Sequence, residues 1–317
     1  MSRLASLLAA APPDAAVEIT PEGVSVATLG VRGIESVITA YGIEPLPPGA
    51  VQPSVGVHNI ADPAPVAAAL LAACEKAGIR PRRVALVIPD PAARVSLVPF
   101  DTIPPRREDF DQLLHWQLKK SAPFPLEEGI VSYSTGVARG SGHEFVVEVA
   151  RRDVIREYEA VCEDAGMHAG LVDLSTLCVA NLFLSEATPP AGDWLLVHMR
   201  PTYASIAVMR GQDLIFFRTR AEGDVERLED VVHQTAMYYE DRLEGKGFSR
   251  VLLGGIAPPE LSLDAARQGL EERLGASVEW IRVAPPSDRI TSTPGLTAAL
   301  TPLVGMLMRT HREAVSA

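Results

Sequence analysis

Seven histidines, His58, His115, His143, His168, His198, His233 and His311, are scattered through the chain with no His-x-x-x-His or Glu-x-x-His pair. No helix turn therefore presents two metal ligands together, and a metal site is not expected. Cys74, Cys162 and Cys178 are odd in number and lack C-x-x-C spacing, so they read as buried, reduced thiols rather than a disulfide framework or zinc site. No Gly-x-Ser-x-Gly elbow anchors a serine nucleophile, and no Gly-x-x-x-x-Gly-Lys-Ser/Thr loop wraps a phosphate. Arg106-Arg107 and Arg151-Arg152 read as solvated ends of elements rather than patches for acidic lipid or nucleic acid. No catalytic residue stands out. Two features remain. Gly254-Gly255 permits a close backbone approach or supplies positive φ at a strand-to-helix turn. Trp116 and Phe124 read either as core or as aromatic anchors for a partner's extended segment.

These residues need a scaffold to position them. At 317 residues the chain exceeds one ordinary domain, so two domains sharing a cleft are expected. Apolar residues make up 47% and charged residues 22%, a globular balance that argues against a disordered chain. Lys and Arg total 29 against 40 Asp and Glu, and the net charge of −11 argues against nucleic acid as a partner. No stretch approaches the ~18–20 unbroken apolar residues of a membrane helix. Behind Arg3, the run Leu4 to Ala11 reads as a short surface helix stopped by Pro12-Pro13 rather than as an export signal. Together with the thiols, this points to a cytoplasmic protein that meets a membrane only through a partner.

Periodicity divides the chain into two similar modules. In the first, Ala16 to Ile19 and Val24 to Leu29 form a hairpin about Pro21-Glu22-Gly23. A helix over 63–77 follows, opened by Asp62 and Pro63 and closed by Gly78, and then a buried strand over 83–88. The second repeats the plan with strands over 194–199, 204–209 and 214–217, a helix over about 225–245, a strand over 250–253 and a helix over about 260–274. Two facing α/β lobes follow, 1–91 with 169–188 and 189–317, joined by a linker at 187–192. Between them a β-α-β-β-α stretch, 92–168, reads as a small inserted α+β subdomain with a helix over 108–121 and another over 153–165.

The insert carries the most specific strings. Val98-Pro99-Phe100-Asp101-Thr102-Ile103-Pro104, His115-Trp116-Gln117-Leu118, Ala122-Pro123-Phe124-Pro125-Leu126-Glu127-Glu128 and Val131-Ser132-Tyr133 resemble the type IV pilus assembly protein PilM family. Weaker likeness extends to Arg218, Met237-Tyr238-Tyr239, Leu253-Gly254-Gly255 and Val304 to Arg309. The resemblance implies a two-lobed actin-like (ribonuclease H-like) α/β fold, related to the cell-division protein FtsA, with the insert as subdomain 1C. It implies a cytoplasmic scaffold at the inner face of the inner membrane that holds the N-terminal tail of a PilN-like membrane protein. A pilus motor ATPase and a platform protein are further partners it suggests. Trp116 and Phe124 would anchor the tail. Two alternatives stay open: a nucleotide-dependent actin-like ATPase switch, and a cytoplasmic GspL-like component of type II secretion. The short interval before Leu253 further implies a reduced subdomain 2B.

The resemblance also implies ATP between the lobes, cradled by two hairpins with an acidic residue on each. Here the first hairpin reads Glu18-Ile19-Thr20-Pro21-Glu22-Gly23, where the family has roughly Asp-Ile-Gly-Ser-Ser-Ser. Thr20 replaces a glycine, Pro21 removes an N–H donor, and Glu22 brings a carboxylate toward the phosphates. Like charges a few ångströms apart there repel by several kcal/mol at an effective dielectric of about 20. The second hairpin reads His198-Met199-Arg200-Pro201 in place of Asp-Ile-Gly, leaving Arg200 as a single phosphate contact. What survives is a degenerate site of Glu18, Thr20, Gly23, Gly254 and Gly255, and the expectation is an ATPase fold without hydrolysis and without a cofactor.

Overall fold

A computed structural model describes residues 13–32, 35–185, 190–221, 227–259, 261–283 and 293–316. The helix expected over 4–11 and residues 187–189 of the linker lie outside them. β1 (Ala15–Ile19) and β2 (Gly23–Arg32) form the expected antiparallel hairpin, and β3 (Glu35–Pro45) pairs outside β2. α1 (Pro63–Ala77) starts where Asp62 accepts the Ala64 N–H at 3.1 Å and ends at Gly78, whose φ of 68° is the left-handed cap. β4 (Arg83–Ile88) then runs parallel to β1.

The chain now leaves for the insert. β5 (Ala93–Phe100), β6 (Gly129–Arg139) and β7 (Gly142–Arg151) form a three-stranded antiparallel sheet ordered β5-β7-β6, with α2 (Arg107–Leu118) between β5 and β6 in the chain. Alternation along β7 splits its side chains between two faces. Phe145, Val147 and Val149 join Phe100, Phe110, Leu114 and Leu118 in a core under α2. Val146 points the other way, joining Val95 and Leu97 against Trp194, Leu196, Ala207 and Met209 of the second lobe. The insert is therefore a bridge between lobes.

α3 (Arg152–Asp164) is assigned to the insert by sequence order, but it packs in the first lobe. Val154, Ile155, Tyr158, Val161 and Cys162 form one stripe and join the cluster of Val66, Leu70, Ala73 and Leu86. With one face of the small sheet under α2 and the other turned to the second lobe, the first lobe's helix layer covers that stripe. β8 (His168–Leu174) closes the first sheet in the order β3-β2-β1-β4-β8. α4 (Ser175–Leu184) leads to the second lobe.

There β9 (Asp193–Arg200), β10 (Tyr203–Arg210), β11 (Asp213–Ala221), α5 (Leu228–Arg242), β12 (Arg250–Gly255), α6 (Leu263–Leu274) and β13 (Glu279–Trp280) follow. The sheet runs β11-β10-β9-β12-β13, the order of the first sheet repeated element for element. α7 (Pro294–Ser316) falls in the second lobe by sequence order, yet its Leu300, Leu303, Val304 and Leu307 pack on Ala16, Ala27, Ala85 and Val87 of the first sheet. Its apolar face covers the side of that sheet opposite α1, so the chain's last helix returns to the first lobe. The three cysteines are buried and unbridged.

Candidate functional site

The hairpin ends of β1–β2 and β9–β10 face each other across the cleft between lobes, and buried polar side chains meet there. Glu18, on the central strand of the first lobe, is 1% exposed, and Arg200, at the end of the central strand of the second, is 3% exposed. The Arg200 guanidinium donates to Glu18 Oε1, which also accepts the Ser175 hydroxyl at 2.7 Å. Burial opposes the Arg200 charge, but Glu18, Tyr203 and Glu22 together outweigh it and hold the guanidinium above its ordinary value. Arg200, the one side chain of the second hairpin that could have reached a phosphate, thus faces an acid of its own chain.

A second acid lies beside this pair. Asp90, which follows β4 where the chain leaves for the insert, is fully buried. It accepts the Thr176 N–H at 2.9 Å, the Thr176 hydroxyl, and at 2.6 Å the Ser205 hydroxyl of β10. Ser205 in turn lies 3.0 Å from the Thr219 hydroxyl, and Thr176 lies 2.9 Å from His198 Nδ1. Burial raises Asp90 above the usual carboxylate range, against the Ser205 and Thr176 hydrogen bonds. Burial, then Arg200, pushes His198 well below the ordinary histidine value, so it is neutral. Sequence reasoning missed Asp90, Ser175, Thr176 and Ser205, because their partners lie 86 to 157 residues away. The only local signal was Asp90 between two prolines at a strand end.

The cradle expected of the two hairpins is closed from within. Gly23 donates its N–H to Thr20 Oγ1 at 3.2 Å, and the Thr20 hydroxyl returns a bond to Gly23 O at 3.0 Å. Pro21 and Pro201 have no N–H to offer. The Glu22 carboxylate is shielded from solvent with no hydrogen-bond partner among the described residues, and its charge acts on Arg200. Beyond the second hairpin, Arg200, Thr202, Tyr203, Arg220, Arg227 and Pro258 line a hollow of about 260 Å³. That is below the ~300–1,000 Å³ of ordinary ligand pockets. Among the described residues no group of three His, Cys, Asp or Glu side chains is set to hold a metal. Two donors that a phosphate could use, the Gly23 N–H and the Arg200 guanidinium, are thus engaged within the chain.

Gly254 and Gly255 are explained by packing. Gly255 has a φ of 100°, and a Cβ on it would overlap the Met199 carbonyl oxygen of the neighbouring strand. A Cβ on Gly254 would crowd the Ile281 side chain. A hollow of about 440 Å³ still opens at this pair, lined also by Trp280, Arg282, Thr297 and Thr301. Room therefore remains beside the glycine pair expected to face adenosine.

A third concavity lies between the insert and both lobes. Ser132 to Gly136 of β6, Leu171 to Asp173 of β8, Asn181 and Leu184 of α4, and the β10–β11 turn line about 310 Å³. β6 and β8 are edge strands of their sheets, so each has one side unpaired by sheet neighbours. The wall carries Glu148 and Asp173, the latter accepting from Arg309 at 2.6 Å. Glu148 is pushed up to about 8 by burial and by the Asp173 charge, with Arg309 pulling the other way. Neither aromatic singled out above lines this groove. Trp116 projects from α2 at 65% exposure with Lys120 Nζ 5.4 Å from its ring centre, so it is not core. Phe124 packs at the edge of the insert core.

No helix among the described residues is long and apolar enough to cross a membrane. Comparison with solved structures finds a PilM–PilN type IV pilus biogenesis complex at 16% identity, TM-score 0.78, covering 94% of this chain and 98% of that one. The cytoplasmic domain of EpsL, an inner-membrane component of the Vibrio cholerae type II secretion system, matches at 12% identity, TM-score 0.50, covering 94% of each chain. A Bacteroides thetaiotaomicron protein with an actin-like ATPase fold matches at 11% identity and TM-score 0.47, over 84% of this chain and 90% of that one. No curated protein matches by sequence. The fold is the expected actin-like α/β one, with its sheet order present twice. A family model described as type IV pilus assembly protein PilM matches residues 16–248, and with the insert and both lobes in place the chain belongs to that family.

Proposed function

We propose that this protein is a scaffold of a type IV pilus assembly machine that holds the cytoplasmic N-terminal tail of a PilN-like inner-membrane protein. It works at the inner face of that membrane and hydrolyses no ATP. The observation that carries the reading is the groove where edge strands β6 and β8 flank one channel. An extended tail gains main-chain hydrogen bonds by lying along such an edge, and side-chain pockets select it. The net charge of −11 suits a tail carrying basic groups. Trp116, exposed on the insert, is a second contact outside the groove, with Phe124 supporting the insert surface. A pilus motor ATPase and a platform protein are the remaining partners in this reading. The non-enzymatic part rests on Thr20, which takes up the Gly23 N–H, and on Pro21 and Pro201, which have none to give.

The test is titration of the full chain with the partner's N-terminal peptide, with and without magnesium-ATP. One-to-one binding that ATP changes by less than about twofold is expected. Ser132→Trp, which fills the groove, should weaken it about tenfold or more, or about 1.4 kcal/mol. Trp116→Ala should weaken it with far-UV circular dichroism unchanged. Micromolar ATP binding with magnesium-dependent turnover would establish the ATPase switch instead. Absence of peptide binding would remove the scaffold reading and leave the type II secretion alternative, which the EpsL likeness favours.

A further inference from the structure

The cleft contacts described above join residues of opposite lobes, and they do so without solvent. Glu18 belongs to β1 and Arg200 to β9, the central strands of the two sheets. Asp90 follows β4 of the first lobe, and Ser205 lies within β10 of the second. Thr176, in the first turn of connecting helix α4, bonds Asp90 on one side and lies against His198 on the other. The first lobe supplies two buried acids here and the second supplies one buried cation. We propose that the Glu18–Arg200 pair, with the Asp90 cluster beside it, is an internal clamp that fixes one setting of the lobes and stands where this fold would otherwise place a nucleotide.

The physical case turns on what a buried ion pair does. Its net contribution to stability is small, because desolvating both ions offsets their attraction. A closed setting that fails to bring them together leaves two buried, unpaired charges, and such settings are strongly disfavoured. The pair therefore selects a geometry more than it adds stability. Stability of the closed form comes from the apolar contact of Val95, Leu97 and Val146 with Trp194, Leu196 and Met209. Glu22 adds a second negative charge near Arg200. An incoming triphosphate would have to displace an acid from Arg200 and then share the cleft with it. The clamp rests on the reading that no nucleotide drives closure. It is independent of which partner fills the groove.

The experiment measures the distance between spin labels on Leu71→Cys in α1 and Met237→Cys in α5, both exposed, on a full chain whose own cysteines are buried. One narrow distance distribution is expected, and millimolar magnesium-ATP or magnesium-ADP should leave it unmoved. Glu18→Gln and Arg200→Met should each broaden it and lower the thermal midpoint. The double variant should regain much of the lost midpoint while the distribution stays broad, since removing both charges removes the penalty but not the ambiguity. Should Arg200→Met fail to fold, Arg200→Lys keeps the charge without the planar fork and should still broaden the distribution. A single variant as narrow as the parent, or a parent distribution shifted by nucleotide, overturns the clamp. Loss of peptide capture with a nucleotide-insensitive narrow distribution would sink the scaffold reading and leave the clamp standing.

Discussion

His198 stands on the central strand of the second lobe, and burial keeps it neutral. The sign of its effect on stability follows. Its folded value lies below the unfolded value of about 6.5, so as pH falls through about 6.5 the unfolded chain takes a proton that the folded chain refuses. Stability is fully present above that point and declines below it, by about 1.4 kcal/mol per pH unit, until the folded value is reached. Asp90 is raised rather than lowered, so its contribution weakens as pH rises above the ordinary carboxylate value. His198→Asn retains a polar atom near the Nδ1 position facing Thr176 and cannot titrate. Its thermal midpoint should stay flatter between pH 7 and 5 than the parent's, and a parallel decline would place the acid sensitivity elsewhere. At this scale Pro21, Glu22 and Pro201 were legible, since side-chain chemistry alone says what they withhold from a phosphate. Asp90 was not, because a buried acid is defined by partners the sequence does not place next to it.

Elements with strong local signals matched the reading closely. Asp62, Pro63 and Gly78 mark both ends of α1, and each acts through its own backbone or a neighbour's. β3 was not anticipated, because Gly42 interrupts its alternation. That glycine is required by packing, since a Cβ there would overlap the Ala73 carbonyl of α1. A similar demand occurs where α4 and α7 meet. A Cβ on Gly305 would overlap the Cys178 carbonyl oxygen, so the two helices approach with nothing but hydrogen at the contact. Gly305→Ala gains helix propensity of about 1 kcal/mol but must push these helices apart. Overpacking of this kind costs ~1–3 kcal/mol, so a net loss of stability is expected in denaturant titration. An unchanged or raised midpoint would show that the helices separate freely. Nothing in the sequence around Gly305 announces the contact, because Cys178 lies more than a hundred residues away.

Across the whole molecule, one apolar cluster joins the insert to the second lobe, and another seats α7 on the first sheet. Parts tied in this way should unfold together. Trp116 reports on the insert and Trp280 on the second lobe, so variants keeping one tryptophan each provide separate probes. Their thermal midpoints should coincide with that of far-UV circular dichroism, and an earlier Trp116 transition would mean that the insert comes loose by itself. The repeated strand plan, the caps and the inserted β-α-β-β stretch were all written in local order and residue type, which is where hydrophobic period and capping chemistry reside. Tertiary structure alone decided that Arg200 meets Glu18, that α3 and α7 belong to the first lobe, and that β6 and β8 share a groove. Those outcomes depend on which buried charges and apolar faces find each other across long stretches of chain, and sequence spacing carries no distance for such encounters.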